Sequence, residues 1–204
     1  FATNGQIYGH PAAEGAIAVA AVDVESANGA GGAFDGTESV ETFSSDGPRR
    51  VFYRADGTAI TPGNLTSTGG TVRQKPDIAA ADGVSCATDH FDPFFGTSAA
   101  APHAAAIAAL LLDRDPTLTP AGIRQALAGT ALDIEAGGID RDSGAGLIHA
   151  RDAIASLGGG PDPGITRTFT IFNDGLANLR VTSLELNSPA SWLSWDAAPP
   201  LDRR

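Results

Sequence analysis

From Ser98 to Leu112 the chain is almost wholly Ala, Leu and Ile once past Pro102 and His103, and no polar stripe runs along it. A helix without a polar face is stable only where neighbours cover it all round. The segment is therefore expected to be buried on every side and to form the middle of a domain. A hydrophobic fraction of 42% over 204 residues is enough to build a core around it. The 25 glycines and 13 prolines imply many turns and crossovers. A mixed α/β architecture fits both facts better than a helical bundle.

Other elements fall either side of that run. Ile17 to Val22 is a short apolar stretch bounded by turn residues and reads as a buried strand of a parallel sheet. Val40 to Phe43 reads as another short strand, Val51 to Ile60 as a hairpin around Asp56-Gly57, and Lys75 to Ala80 as a third sheet strand. Thr119 to Leu127 is an amphipathic helix with Thr119 as N-cap and Pro120 in its first turn, and Ala150 to Leu157 is one more short helix. The glycines and prolines of 158–166 mark a linker. Beyond it, Arg167 to Phe172 and Asn178 to Leu186 alternate polar and apolar about a turn, so 167–204 reads as the start of an antiparallel β domain. Residues 1–157 form the main domain.

Charge and composition exclude several roles. Acidic residues outnumber basic ones 24 to 13, a formal charge of −11, which repels nucleic acid and anionic membrane surfaces. No run of about 18 apolar residues is present to span a bilayer. Cys86 is the single cysteine and has no internal partner. The chain opens on Phe1 and has no methionine, so it is expected to have been cut from a longer product.

The chemistry concentrates at Gly96-Thr97-Ser98-Ala99-Ala100-Ala101-Pro102-His103. A serine hydroxyl is a weak nucleophile until a base takes its proton, and acyl transfer then needs hydrogen-bond donors aimed at the developing oxyanion. A serine in the first turn of a helix has such donors in the unpaired backbone N–H groups around it, reinforced by the helix dipole. Gly96 lets the backbone bend without a side chain obstructing a substrate, and Pro102 is expected early in the helix, where it has no N–H to lose. A lone Gly-Thr-Ser would be no more than a helix cap.

The whole segment closely resembles the nucleophile motif of subtilisin-like serine proteases, and the resemblance runs over roughly residues 7 to 157. Gly15 to Asp23 is similar to the family strand that follows the substrate-pocket loop, Phe43-Ser-Ser-Asp-Gly-Pro48 to its Phe-Ser-Ser-x-Gly-Pro turn, and Lys75-Pro-Asp-Ile-Ala79 to its Lys-Pro-Asp-Ile strand. Leu118-Thr-Pro120, Ile123 to Leu127 and Asp142-Ser-Gly-Ala-Gly-Leu147 follow in family order. The resemblance implies a doubly wound, mainly parallel sheet with helices on both faces. It implies an endopeptidase with Ser98 as nucleophile, Ser98 N–H in the oxyanion hole, and Gly96, Thr97 and, in the pocket loop, Gly9 against a protein or peptide substrate. Secretion or display at the cell surface follows from the same likeness. The module at 167–204 resembles immunoglobulin-like domains appended to bacterial surface proteins.

The family histidine stands in a His-Gly-Thr or His-Gly-Ser context, whereas His10, His90, His103 and His149 precede Pro11, Phe91, Ala104 and Ala150. His103 lies about one and a third turns past Ser98, which turns its ring away from the nucleophile and makes it a hydrogen-bonded structural residue. The triad Asp and His are expected upstream, in the N-terminal half of the same domain, together with the oxyanion asparagine, since Asn4 lacks the right flanks. Without them this stretch is expected to be inert. The other reading is a pseudo-protease scaffold or adhesin that keeps the fold; a different serine hydrolase is disfavoured because no Gly-x-Ser-x-Gly elbow is present. Asp82 and Asp92 read as solvated loop acids and Cys86 as a partly buried small hydrophobe. No cofactor is called for; family members often bind stabilising calcium, but no residue identifies a site. Trp192 and Trp195 read as packing residues of the β module.

Overall fold

The structure, a computed structural model, describes residues 5–29, 32–88 and 90–158. Within them the strands β1 (Val19–Asp23), β2 (Arg49–Val51), β3 (Thr71–Arg73) and β4 (Ile78–Asp82) precede the helices α1 (Thr97–Arg114), α2 (Pro120–Gly129) and α3 (Ala150–Ser156). Asn4 and the β module expected at 167–204, with Trp192 and Trp195, lie outside the described residues, as does the linker apart from Gly158.

β1 and β4 pair in parallel, with Val19 opposite Ile78 through to Asp23 opposite Asp82. Beyond β4 the ladder continues through a single parallel bridge from Ala79 to Leu147, and Leu147 pairs antiparallel with Leu132. Because side chains alternate across a strand, the sheet has two apolar faces. Ala21, Ile78 and Ala80 share one core with Ala100, Ala104 and Leu111 of α1, Ile123, Ala126 and Leu127 of α2, and Ala153 of α3. Burying Leu111 and Leu127 contributes about 2 kcal/mol each. Ala20, Val22 and Ala79 pack on the other side with Ile134, Leu147 and the partly buried Phe34, Val40 and Leu132.

The architecture is thus α/β about a parallel pair, with one departure from the expected double winding. Among the described residues all three helices serve one face, and chain without helix covers the other. The same geometry corrects the picture of α1 as buried on every side. Ala99, Ala100, Ala104 and Leu111 are buried, but Leu110 and Leu112 are 51% and 39% exposed and Ala101, Ala105 and Ala109 are exposed as well. Burial all round needs neighbours all round, and here β1, β4, α2 and α3 supply them on one side only. Pro102 also sits deeper than expected: α1 opens at Thr97, so Pro102 is its sixth residue. At that depth the missing N–H is one that would have bonded the carbonyl of Ser98.

Val40 to Phe43 forms no strand. Glu41 N–H reaches Ala21 O at 2.8 Å, and then the chain turns, Ser44 N–H closing on Glu41 O while Ser44 Oγ accepts from Ala21 N–H at 3.0 Å. These two hydrogen bonds satisfy the free edge of β1 at Ala21 and leave nothing to propagate a ladder. The hairpin at 51–60 is present, with Tyr53 bridged to Ala59 and Gly57 at φ 82°. β2 and β3 form a separate antiparallel pair.

The amino end of the parallel pair is fixed by charge. Lys75, 3% exposed, donates to Asp77 Oδ2 and Ala16 O at 2.6 Å each, and Asp77 Oδ2 also accepts from Ala18 N–H at 2.7 Å. Arg124 of α2 lies 3.2 Å from Asp77 Oδ1 and donates to Ala16 O. A buried ammonium is tolerable only when paired in this way. The network locks the register of β1 against β4, and so the height of whatever follows β4. α2 starts as expected, Thr119 Oγ1 accepting from Gly122 N–H ahead of Pro120.

Candidate active site

β4 ends at Asp82, and the chain leaves its carboxyl end through Gly83 into a narrow loop closed by Val84 and Phe94, whose backbones exchange hydrogen bonds at 3.2 and 2.7 Å. Phe91 packs edge-on against Phe94, ring centres 5.3 Å apart. Two residues after Phe94, Gly96 caps α1 at φ 115° and ψ 158°, a backbone conformation that only glycine adopts readily. Its carbonyl accepts from both Ala99 and Ala100. The turn brings Gly96, Thr97 and Ser98 together at the open end of an 18-residue helix.

Ser98 is exposed there. Among the described residues neither its N–H nor that of Thr97 is given a protein acceptor. Two free donors and the positive end of the helix dipole thus surround one solvent-facing hydroxyl, the arrangement that favours negative charge growing on a substrate oxygen. In open α/β sheets the carboxyl ends of the parallel strands are where ligands sit. The Gly96–Ser98 turn is at that end of β4.

None of the four histidines hydrogen-bonds Ser98. His103 points back into the fold, Nδ1 2.8 Å from Ala81 O, half-buried and hydrogen-bonded in the manner expected of a structural residue. His149 pairs with Asp152 at 2.7 Å on the surface of α3. His10 opens an exposed turn before β1, and His90 lies in the exposed loop with φ 70°. Gly9 caps that same turn before β1 with φ 68° and makes no hydrogen bond to residues 96–98. Cys86 is half-buried, its thiol 2.7 Å from Phe91 O. Among the described residues no group of three or more His, Cys, Asp or Glu is arranged to hold a metal ion, and no helix is long and apolar enough to cross a membrane.

Asp82 departs most from the sequence reading. Far from being a solvated loop acid, it is the last residue of β4, 0% exposed, and its Oδ2 accepts from Gly96 N–H at 2.6 Å. Asp92 is exposed, as a loop acid should be. A carboxylate closing an apolar strand (Ile78-Ala-Ala-Ala-Asp82) just before a glycine was the signal available in the sequence. Asp23 stands beside Asp82 in register, and Glu41 lies close to both.

That proximity has a measurable effect on Glu41. Burial first, then repulsion from the Asp82 and Asp23 carboxylates, raises its pKa above the ordinary carboxylate range. A carboxyl that holds its proton more tightly when folded stabilises the protein below its unfolded pKa, and that contribution is lost as pH rises through the folded pKa. Glu41→Gln is therefore expected to raise the melting temperature near neutral pH, with the gain shrinking to nothing in acid below the ordinary carboxylate range. A thermal melt series across pH reads this directly; a gain that is constant with pH would refute the account.

A family model described as the subtilase family matches residues 2–146. Fervidolysin of Fervidobacterium pennivorans is 34% identical over 97 residues, 46% of this chain and 13% of that protein. A subtilisin-like protease of Arabidopsis thaliana is 33% identical over 101 residues, 44% of this chain and 12% of that protein. The chain therefore spans about an eighth of the length of the curated relatives it matches. The crystal structure of fervidolysin, described as a keratinolytic enzyme related to subtilisin, aligns with 74% of this chain and 20% of its own at 28% identity and a TM-score of 0.42.

Proposed function

The chain belongs to the subtilase family, and on that premise we propose that it carries the nucleophile of a serine endopeptidase. Ser98 Oγ attacks a peptide carbonyl, the amine leaves, and water releases the acyl group from Ser98. The observation that carries this reading is the exposed Ser98 at the open end of α1, its own and the Thr97 N–H groups unpaired among the described residues. Ser98 N–H then serves as one oxyanion donor, and Gly96 and Thr97 line the path of the substrate backbone, with Gly9 in the pocket loop. No histidine of the described residues hydrogen-bonds Ser98, and in the family's order of Asp, then His, then Ser the base and its carboxylate come from another part of the protein. On its own the stretch described here is inactive, because deleting the base leaves only about 10³ to 10⁴ of rate over water. The protein that contains it acts outside the cell or at its surface.

The test is to treat the full-length protein with a peptidyl phosphonate directed at active-site serines and locate the adduct by peptide mass mapping. Label on Ser98 is the expected result. Label elsewhere, or none, would overturn the mechanism and leave a scaffold that keeps the fold.

A further inference from the structure

Asp82 is wholly buried, yet among the described residues its carboxylate receives a single hydrogen bond. Oδ2 accepts from Gly96 N–H at 2.6 Å, and Oδ1, equally shielded from solvent, has no donor among the described residues. Burying an ionisable group with so little compensation is costly, and the residues before it on β4 are alanines that avoid the cost. What the carboxylate secures is the peptide N–H of Gly96. That glycine sits in a conformation closed to other residues, two positions before Ser98, and its carbonyl is already held by Ala99 and Ala100 of α1. The turn is thus gripped from the strand on one side and from the helix on the other. The neighbouring residue adds a second tie, since Ala81 O meets the His103 ring. Consecutive residues at the end of β4 anchor the beginning and the second turn of α1.

We propose that Asp82 is a positioning residue for the nucleophile: acting through Gly96, it sets the direction in which Ser98 Oγ and the Thr97 and Ser98 N–H groups face the substrate, without touching the substrate itself. The inference rests on the reading of Ser98 as nucleophile. It deepens that reading by naming what holds the serine still. A turn tied only through α1 would let the hydroxyl wander, and a misplacement of about 1 Å is enough to lower turnover on the order of 10²-fold.

The experiment compares Asp82→Leu, close in shape but with no acceptor, with Asp82→Asn, which keeps an acceptor oxygen for Gly96 N–H, in the full-length protein. Asp82→Leu is expected to lose about 10²-fold in kcat with KM changed by less than about 3-fold, and its rate of phosphonate labelling at Ser98 should fall in parallel. Asp82→Asn is expected to recover kcat to within about 10-fold of the parent. If Asp82→Leu does not fold, Asp82→Ala is read in its place. Equal impairment of the Asn and Leu variants, full activity in both, a loss carried by KM, or normal labelling in a slow variant would each overturn the proposal. A Ser98→Ala variant run alongside separates the two claims: if it keeps its activity the nucleophile reading itself fails, whatever the Asp82 variants do.

Discussion

On the proposed mechanism, Ser98→Ala in the full-length protein is expected to lose peptidase activity by on the order of 10⁶ in kcat, the size of effect that deleting the serine of such a triad has. The loss is large because no other group can form the covalent acyl intermediate, and the remaining oxyanion donors act only on a reaction that water must then begin. KM should change little, since a hydroxyl at the open end of α1 contributes bond-making and little ground-state binding. Stability should change little as well. Ser98 is exposed, makes no hydrogen bond through Oγ to the described residues, and is replaced by the residue with the highest helix propensity. Turnover of a fluorogenic peptide, measured beside a thermal melt, checks all three statements. Activity above about 1% of the parent would remove Ser98 from the mechanism.

Gly47→Ala is expected to produce the largest loss of stability. A Cβ on Gly47 would lie 1.5 Å from the carbonyl oxygen of Lys75 and 2.6 Å from its carbonyl carbon. Those are backbone atoms of the residue that leads β4 through the buried Lys75–Asp77 pair, so they cannot swing aside. On the other side Gly47 N–H is bonded to Arg141 O at 2.8 Å, and the preceding Asp46 is ion-paired with Arg141. The turn is held in place from both directions. Forcing a methyl into it costs about 3 kcal/mol or more, roughly 6 to 12 °C in melting temperature for a domain of this size. Gly57→Ala is the control. Gly57 is also a turn glycine, at φ 82°, but nothing lies within 4 Å of its Cβ position, so it carries only the conformational penalty of about 1 kcal/mol. Equal melting temperatures for the two variants would show that close packing at Gly47 is not what governs the turn.

The contrast between those glycines also marks how far sequence reasoning reached. Signals local to the chain were legible: the Thr119-Pro120 helix start, the Asp56-Gly57 hairpin, the parallel strands read from their apolar runs, and the placing of Ser98 at a helix start. What depends on distant chain was not. β2 and β3 are three residues each, half of them arginine, and are strands only because they meet across some twenty residues. Val40 to Phe43 has the residues of a strand, but Ser44 turns the chain after one ladder bond. Asp82 has the composition of a loop acid and becomes a core residue because β4 runs one residue pair further than its apolar pattern, to match Asp23. The open side of α1 follows from the same rule in reverse. Its composition calls for neighbours on every side, and composition does not say which segments provide them.

Where α1 meets the sheet, the contacting side chains are mostly single methyl groups: Ala21 and Ala80 on the strands, Ala100 and Ala104 on the helix. Methyls have no rotamers, so this layer behaves as a spacer of fixed thickness, and the hydroxyl of Ser98 rides at the height the spacer sets. Enlarging any one of the four lifts the helix as a rigid rod and carries the hydroxyl with it, even where the fold survives. The loops around the serine are free of that constraint, whereas the alanines beneath it set the height at which the hydroxyl stands.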